Sequence, residues 1–91
     1  MNWRLIYTEQ YQKRATKFIK HHPDLEKTYG KALALLEANP YHPSLRLHAL
    51  KGRLQGLHSI SINLSFRVTI ELIITDKEII LINVGDHDQV Y

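Results

Sequence analysis

The stretch FRVTIELII, residues 66–74, decides the fold. Phe66, Val68, Ile70, Leu72 and Ile74 occupy every second position, with Arg67, Thr69 and Glu71 between them. A period of two matches the pleat of a β-strand, and an apolar set of one parity implies one face packed on a core. The same parity sets a second expectation: Arg67 points to the opposite face, away from that core.

Two flanking segments read as its partners. Leu54 to Ile62 carries Leu54, His58, Ile60 and Ile62 on one face and reaches the central stretch through Asn63-Leu64-Ser65. Ile79 to Val84 follows Thr75-Asp76-Lys77-Glu78 and is closed by Gly85. Both connections are short enough for hairpins. Further out, Trp3 to Tyr7 alternates and predicts a first strand.

Thr8 is placed to cap a helix, with Glu9 in its first turn. Tyr11, Ala15 and Phe18 then share one helical face, while Gln12, Lys13, Arg14 and Lys17 face outward. His21-His22-Pro23 interrupts this helix. Leu25, Tyr29, Leu33 and Leu36 carry a second one to Ala38, and Asn39-Pro40 ends it. From Pro40 to Gly52 no period survives, which predicts an irregular connection. The order β-α-α-β-β-β predicts an α+β fold, a helical hairpin packed on one face of a mostly antiparallel sheet.

The chain of 91 residues is read as a single domain, 1–91, with 44% hydrophobic residues, enough for one core. Its net charge of +3 suits a polyanionic partner. There is no cysteine, so disulfides and thiolate zinc sites are excluded. The apolar runs, such as Ile79 to Ile82, fall far short of the ~20 residues a membrane helix needs. A cytoplasmic protein without a membrane partner is the expectation.

Three sites of chemistry are tested by the sequence. No HExxH occurs, and the adjacent His21 and His22 would point ~100° apart on a helix. His42 and His48 have no carboxylate between them, and Asp86-His87-Asp88 are consecutive, so no metal is expected. No phosphate-cradling glycine loop and no nucleophile elbow is present, and no cofactor is expected. The third site is Arg67 on the open face, which Gly85-Asp86-His87-Asp88-Gln89-Val90-Tyr91 can approach from the end of a neighbouring strand. His48, Lys51 and Arg53 enter from the connection. Such a set suits phosphodiester cleavage in which RNA supplies its own 2′-hydroxyl nucleophile. Arginine neutralises charge by planar hydrogen bonding, and histidine carries protons near neutral pH.

Over nearly its whole length the chain resembles the RelE/ParE toxin superfamily, most closely the RelE- and YafQ-like mRNA interferases. The resemblance is carried by LRLHALKGRLQGLHSISI (45–62), SFRVTIEL (65–72) and EIILINVGDHDQVY (78–91). It implies a toxin that cleaves mRNA in the ribosomal A site, leaves a 2′,3′-cyclic phosphate, and is held inactive by a cognate antitoxin. By position, Arg67 would stabilise the scissile phosphate and His87 would serve as acid or base. His48 would assist proton transfer or substrate placement, Tyr91 would stack on a base or orient the phosphate, and Lys51, Arg53 and Arg46 would hold the RNA backbone. Lys13, Arg14, Lys17 and Lys20 beside an apolar face would receive an acidic antitoxin segment. Ser61 and Ser65-Phe66 stand where YafQ-like members carry a histidine and an aspartate–tryptophan pair, and Asn83 stands where an arginine is frequent. The superfamily also contains ParE-type gyrase inhibitors, which lack the ribonuclease residues, and a degenerate member that only binds an antitoxin is the further alternative.

Overall fold

The first strand, β1 (Arg4–Tyr7), hands over to the first helix, α1 (Glu9–His21), at Thr8. The Tyr11 N–H donates to Thr8 Oγ1 at 3.1 Å, so the expected cap is in place. Pro23 cannot continue α1, and a single 3₁₀ turn, Pro23–Leu25, leads into the second helix, α2 (Glu26–Ala38). The expected second helix therefore begins three residues later than Pro23. The computed structural model describes residues 2–86, in which α1 and α2 pack on one face of a five-stranded sheet.

The expected irregular connection from Pro40 to Gly52 holds a strand that alternation cannot reveal. Leu45 is buried in a 3₁₀ turn, Pro43–Leu45, after which β2 (His48–Ala49) pairs antiparallel with β3 (His58–Ser61). Two residues are too few to show a period. The expected strand from Leu54 is correspondingly shorter, because Gly52–Leu54 forms another 3₁₀ turn. Gly52 and Gly56 both take positive φ, 68° and 98°, and the Leu50 N–H donates to the Leu57 carbonyl at 2.9 Å, closing this hairpin loop.

β3 pairs with β4 (Phe66–Ile73), and β4 with β5 (Glu78–Asp86), both antiparallel. β1 pairs parallel with β5, giving the order β1-β5-β4-β3-β2. Gly85 does not end the last strand as expected. It lies inside β5, opposite Arg67.

The core is the apolar parity of β4 meeting the inner faces of both helices. Val68, Ile70, Tyr11 and Leu36 are fully buried, with Phe18, Leu33, Ile60, Ile79 and Leu81 around them and Phe66 and Leu72 at the margin. Each such aliphatic side chain contributes about 1.5–3 kcal/mol of burial. Phe18, His22 and Phe66 stack at 4.7–5.2 Å between ring centroids and close the end of α1 onto β4. Tyr11 and Tyr29 join the two helices through hydroxyls 2.6 Å apart, and burial pushes the Tyr11 phenol well above its usual range.

A bulge in β5 sets what faces away from the core. Thr69 pairs with Asn83 but Ile70 pairs with Leu81, so Ile82 is an extra residue. It switches the parity of β5: Ile79 and Leu81 are buried before it, and Val84 after it. Asn83 and Gly85 are thereby delivered to the helix-free face beside Thr69 and Arg67.

Candidate functional site

Cross-strand partners share a face. The register therefore lays two polar rows across the side of the sheet that the helices leave open. One runs His48, Ser59, Thr69, Asn83 from β2 to β5, and the other runs Ser61, Arg67, Gly85. His48 and Arg67 thus stand on one face, two strands and two residues apart. The strand spacings put their Cα atoms roughly 12 Å from each other. Two long polar side chains converging over such a gap can embrace one phosphodiester unit.

Arg67 is half-buried and held in place. Its Nη1 donates to Ser61 Oγ at 2.9 Å and to the Asn63 carbonyl at 3.0 Å. Asn63 in turn organises the β3–β4 turn, its Oδ1 accepting from the N–H groups of Ser65 and Phe66 at 2.9 Å. The guanidinium is therefore fixed through one nitrogen, and its other N–H donors have no partner among the described residues. A planar fork anchored on one side is preorganised for an oxyanion on the other.

His48 is exposed on the edge strand. Its Nδ1 lies 3.3 Å from the Arg46 carbonyl, a contact that needs the proton on Nδ1 and makes Nε2 the acceptor nitrogen of the neutral ring. Arg46 itself takes a left-handed conformation (φ 51°), which turns the chain from the 3₁₀ turn into β2. Arg46, Lys51 and Arg53 are all exposed on the connection that borders this face. The register places His48 and Arg67 on one face of the sheet. His87 and Tyr91 lie outside the described residues.

Sequence reasoning passed over the hydroxyls between these residues. Ser59 and Thr69 are buried, and neither Ser59 Oγ nor Thr69 Oγ1 has a hydrogen-bond partner among the described residues. Leaving a buried hydroxyl unmade costs about 1–3 kcal/mol. The pair is a polar strip kept between His48 and Arg67 against stability. A signal was present: the off-core parity of β3 and β4 reads Ser59, Ser61, Arg67, Thr69, Glu71, polar at five successive positions before Ile73. The described residues contain no cluster of three or more side chains able to hold a metal, and no helix long and apolar enough to cross a membrane.

No protein-family model and no curated protein sequence matches the chain. Solved structures do. The YafQ chain of the Escherichia coli DinJ–YafQ toxin–antitoxin complex aligns with 22% identity and a TM-score of 0.78, covering 100% of this chain and 99% of that one. A metal-bound toxin from Helicobacter pylori aligns with 19% identity and a TM-score of 0.77, covering 98% and 99%. A YoeB/ParE toxin from Agrobacterium tumefaciens aligns with 14% identity and a TM-score of 0.73, covering 92% and 98%. At these identities the likeness is one of architecture: the chain has the RelE/ParE toxin fold.

Proposed function

We propose that this protein is the toxin of a toxin–antitoxin pair, a metal-independent endoribonuclease that cleaves mRNA on the ribosome. The observation that carries the reading is the helix-free face of the sheet. There Arg67 presents a half-anchored guanidinium fork across a strip of buried hydroxyls from His48. Arg67 neutralises the charge that grows on the scissile phosphate as the substrate's 2′-hydroxyl attacks phosphorus and the 5′-oxygen leaves. His48 and His87 move the two protons, one from the 2′-hydroxyl and one to the leaving oxygen. Tyr91 stacks on a base, and Lys51, Arg53 and Arg46 hold the backbone. The products are a 2′,3′-cyclic phosphate and a 5′-hydroxyl, without net hydrolysis. The structural likeness to a YafQ chain solved with its antitoxin supports a cognate antitoxin as partner.

A second reading, a ParE-type inhibitor of gyrase that cuts no RNA, is favoured by Ser61. Where YafQ-like members offer a histidine, this chain places a hydroxyl already engaged by Arg67. Primer extension on cellular mRNA after brief induction separates the two readings. Ribonuclease action predicts new 5′ ends within translated frames that vanish in Arg67→Ala. Growth arrest with intact messages would overturn it in favour of the second reading.

A further inference from the structure

Arg67 can meet an anion along one edge only. An arginine carries five N–H donors in one plane, two on Nη1, two on Nη2 and one on Nε. The two on Nη1 are taken, one by Ser61 Oγ at 2.9 Å and one by the Asn63 carbonyl at 3.0 Å. The end-on fork of Nη1 with Nη2 is thereby closed to an incoming phosphate. What stays open is the side-on fork of Nε with Nη2.

The two acceptors are placed by different means. Ser61 is set by register, because it stands directly across from Arg67 in the β3–β4 pair. On the β5 side Arg67 is paired with Gly85, which brings no side chain against it. Asn63 is set by the turn. Its Oδ1 accepts from the N–H groups of Ser65 and Phe66, both at 2.9 Å, while the Ile62 N–H donates to the Phe66 carbonyl at 2.9 Å. An asparagine bonded to backbone two and three residues on fixes a short turn. Here it also fixes the carbonyl on which the arginine rests. Both acceptors are neutral. A carboxylate in either place would hold the guanidinium equally well but would cancel its charge, whereas a hydroxyl and a carbonyl leave that charge for the substrate.

We propose that Ser61 and Asn63 are positioning residues for the cleavage reaction. Neither touches RNA. By saturating Nη1 they commit Arg67 to a side-on, bidentate grip on the non-bridging oxygens of the scissile phosphate. A fork already aimed stabilises the growing charge without reorganising at the moment of reaction. An untied arginine would first have to be gathered from its many rotamers. The effect therefore falls on the chemical step, while message binding is left to Lys51, Arg53 and Arg46. The inference rests on the ribonuclease reading for the reaction, not for the anchor.

The test compares Ser61→Ala, Ser61→Thr, Asn63→Ala and Arg67→Ala in the full chain on programmed ribosomes, with thermal melts to show that each is folded. Ser61→Ala should lower kcat about tenfold and leave KM within about twofold, a smaller loss than removing the donor itself, because the charge remains and only its aim is lost. Asn63→Ala should act in the same direction. Ser61→Thr keeps the hydroxyl and should recover most of the rate. Either alanine change added to Arg67→Ala should cost little more, since an anchor without its arginine has nothing to aim. Wild-type rates in Ser61→Ala, no recovery in Ser61→Thr, or a full further loss on top of Arg67→Ala would each overturn the proposal, the last because Ser61 would then act on RNA directly. Nitrogen-15 spectra of the free protein read the anchor without RNA: Arg67 should show distinct, slowly rotating Nη groups that merge in Ser61→Ala. Merged signals in the wild type would sink the anchor even if RNA is cut. Distinct signals in a protein that cuts no RNA would keep the anchor but remove the ribonuclease reading, and the positioning role with it.

Discussion

The two sides of β4 obey opposite rules. On the helix side, Val68 and Ile70 are fully buried in the apolar core, with His58, the cross-strand partner of Ile70, as a polar neighbour there. On the other side, two residues away or less, Thr69 is equally buried but its hydroxyl is unpartnered among the described residues, and Arg67 is pinned to a turn. One strand thus stores stability on one face and keeps costly polar groups on the other. A difference of that kind between neighbouring residues is what the proposed ribonuclease face requires.

Substitutions on the two parities should therefore fail in different ways. Ile70→Ala should give the largest loss of stability, about 2–5 kcal/mol in urea denaturation, because it opens a cavity in the packed layer. A loss below 1 kcal/mol would mean that the helix-facing side is not the core that the register indicates. Arg67→Ala should leave the melting transition nearly in place yet lower ribosome-dependent cleavage about 10²–10³-fold, the usual effect of removing one oriented charge donor. Were activity and stability to fall together, Arg67 would be a structural tie between β4 and the Asn63 turn. Lys51→Ala should weaken RNA binding modestly and lower its salt dependence, since an exposed lysine contributes mostly by displacing counterions. The smallest change is also the most discriminating. Thr69→Val replaces an unpartnered buried hydroxyl by a methyl of similar size and should raise stability by about 0.5–1 kcal/mol. If stability falls instead, Thr69 Oγ1 has a structural partner and the two faces are less different than argued.

Most of the fold was legible because its signals are periodic. The alternation of residues 66–74 and the 3.6-residue spacing of Tyr11, Ala15 and Phe18 each continue long enough to declare a face. β2 was missed because two residues carry no period, and Gly85 was misread because glycine usually ends a strand, whereas here it sits within one. The Ile82 bulge was invisible for a related reason: in the run IILINV, 79–84, almost every position is apolar, so the parity switch leaves no trace. Of the candidate site, Arg67 followed from parity alone. His48 reached the same face only through the pairing of β2 with β3, a contact that no local pattern encodes. The hydroxyl strip needed burial as well as pattern, since a serine or threonine on an outward parity ordinarily faces water.

The central claim is that the helix-free face performs transesterification on RNA through the substrate's own 2′-hydroxyl. It is tested most directly with purified ribosomes programmed with two messages, identical except for a single 2′-deoxy nucleotide on the 5′ side of the scissile bond. The all-ribose message should be cut in the A site to a 2′,3′-cyclic phosphate end, and the deoxy message should survive uncut at that bond. Cleavage of both at equal rates, or of neither by a folded protein, would contradict the account.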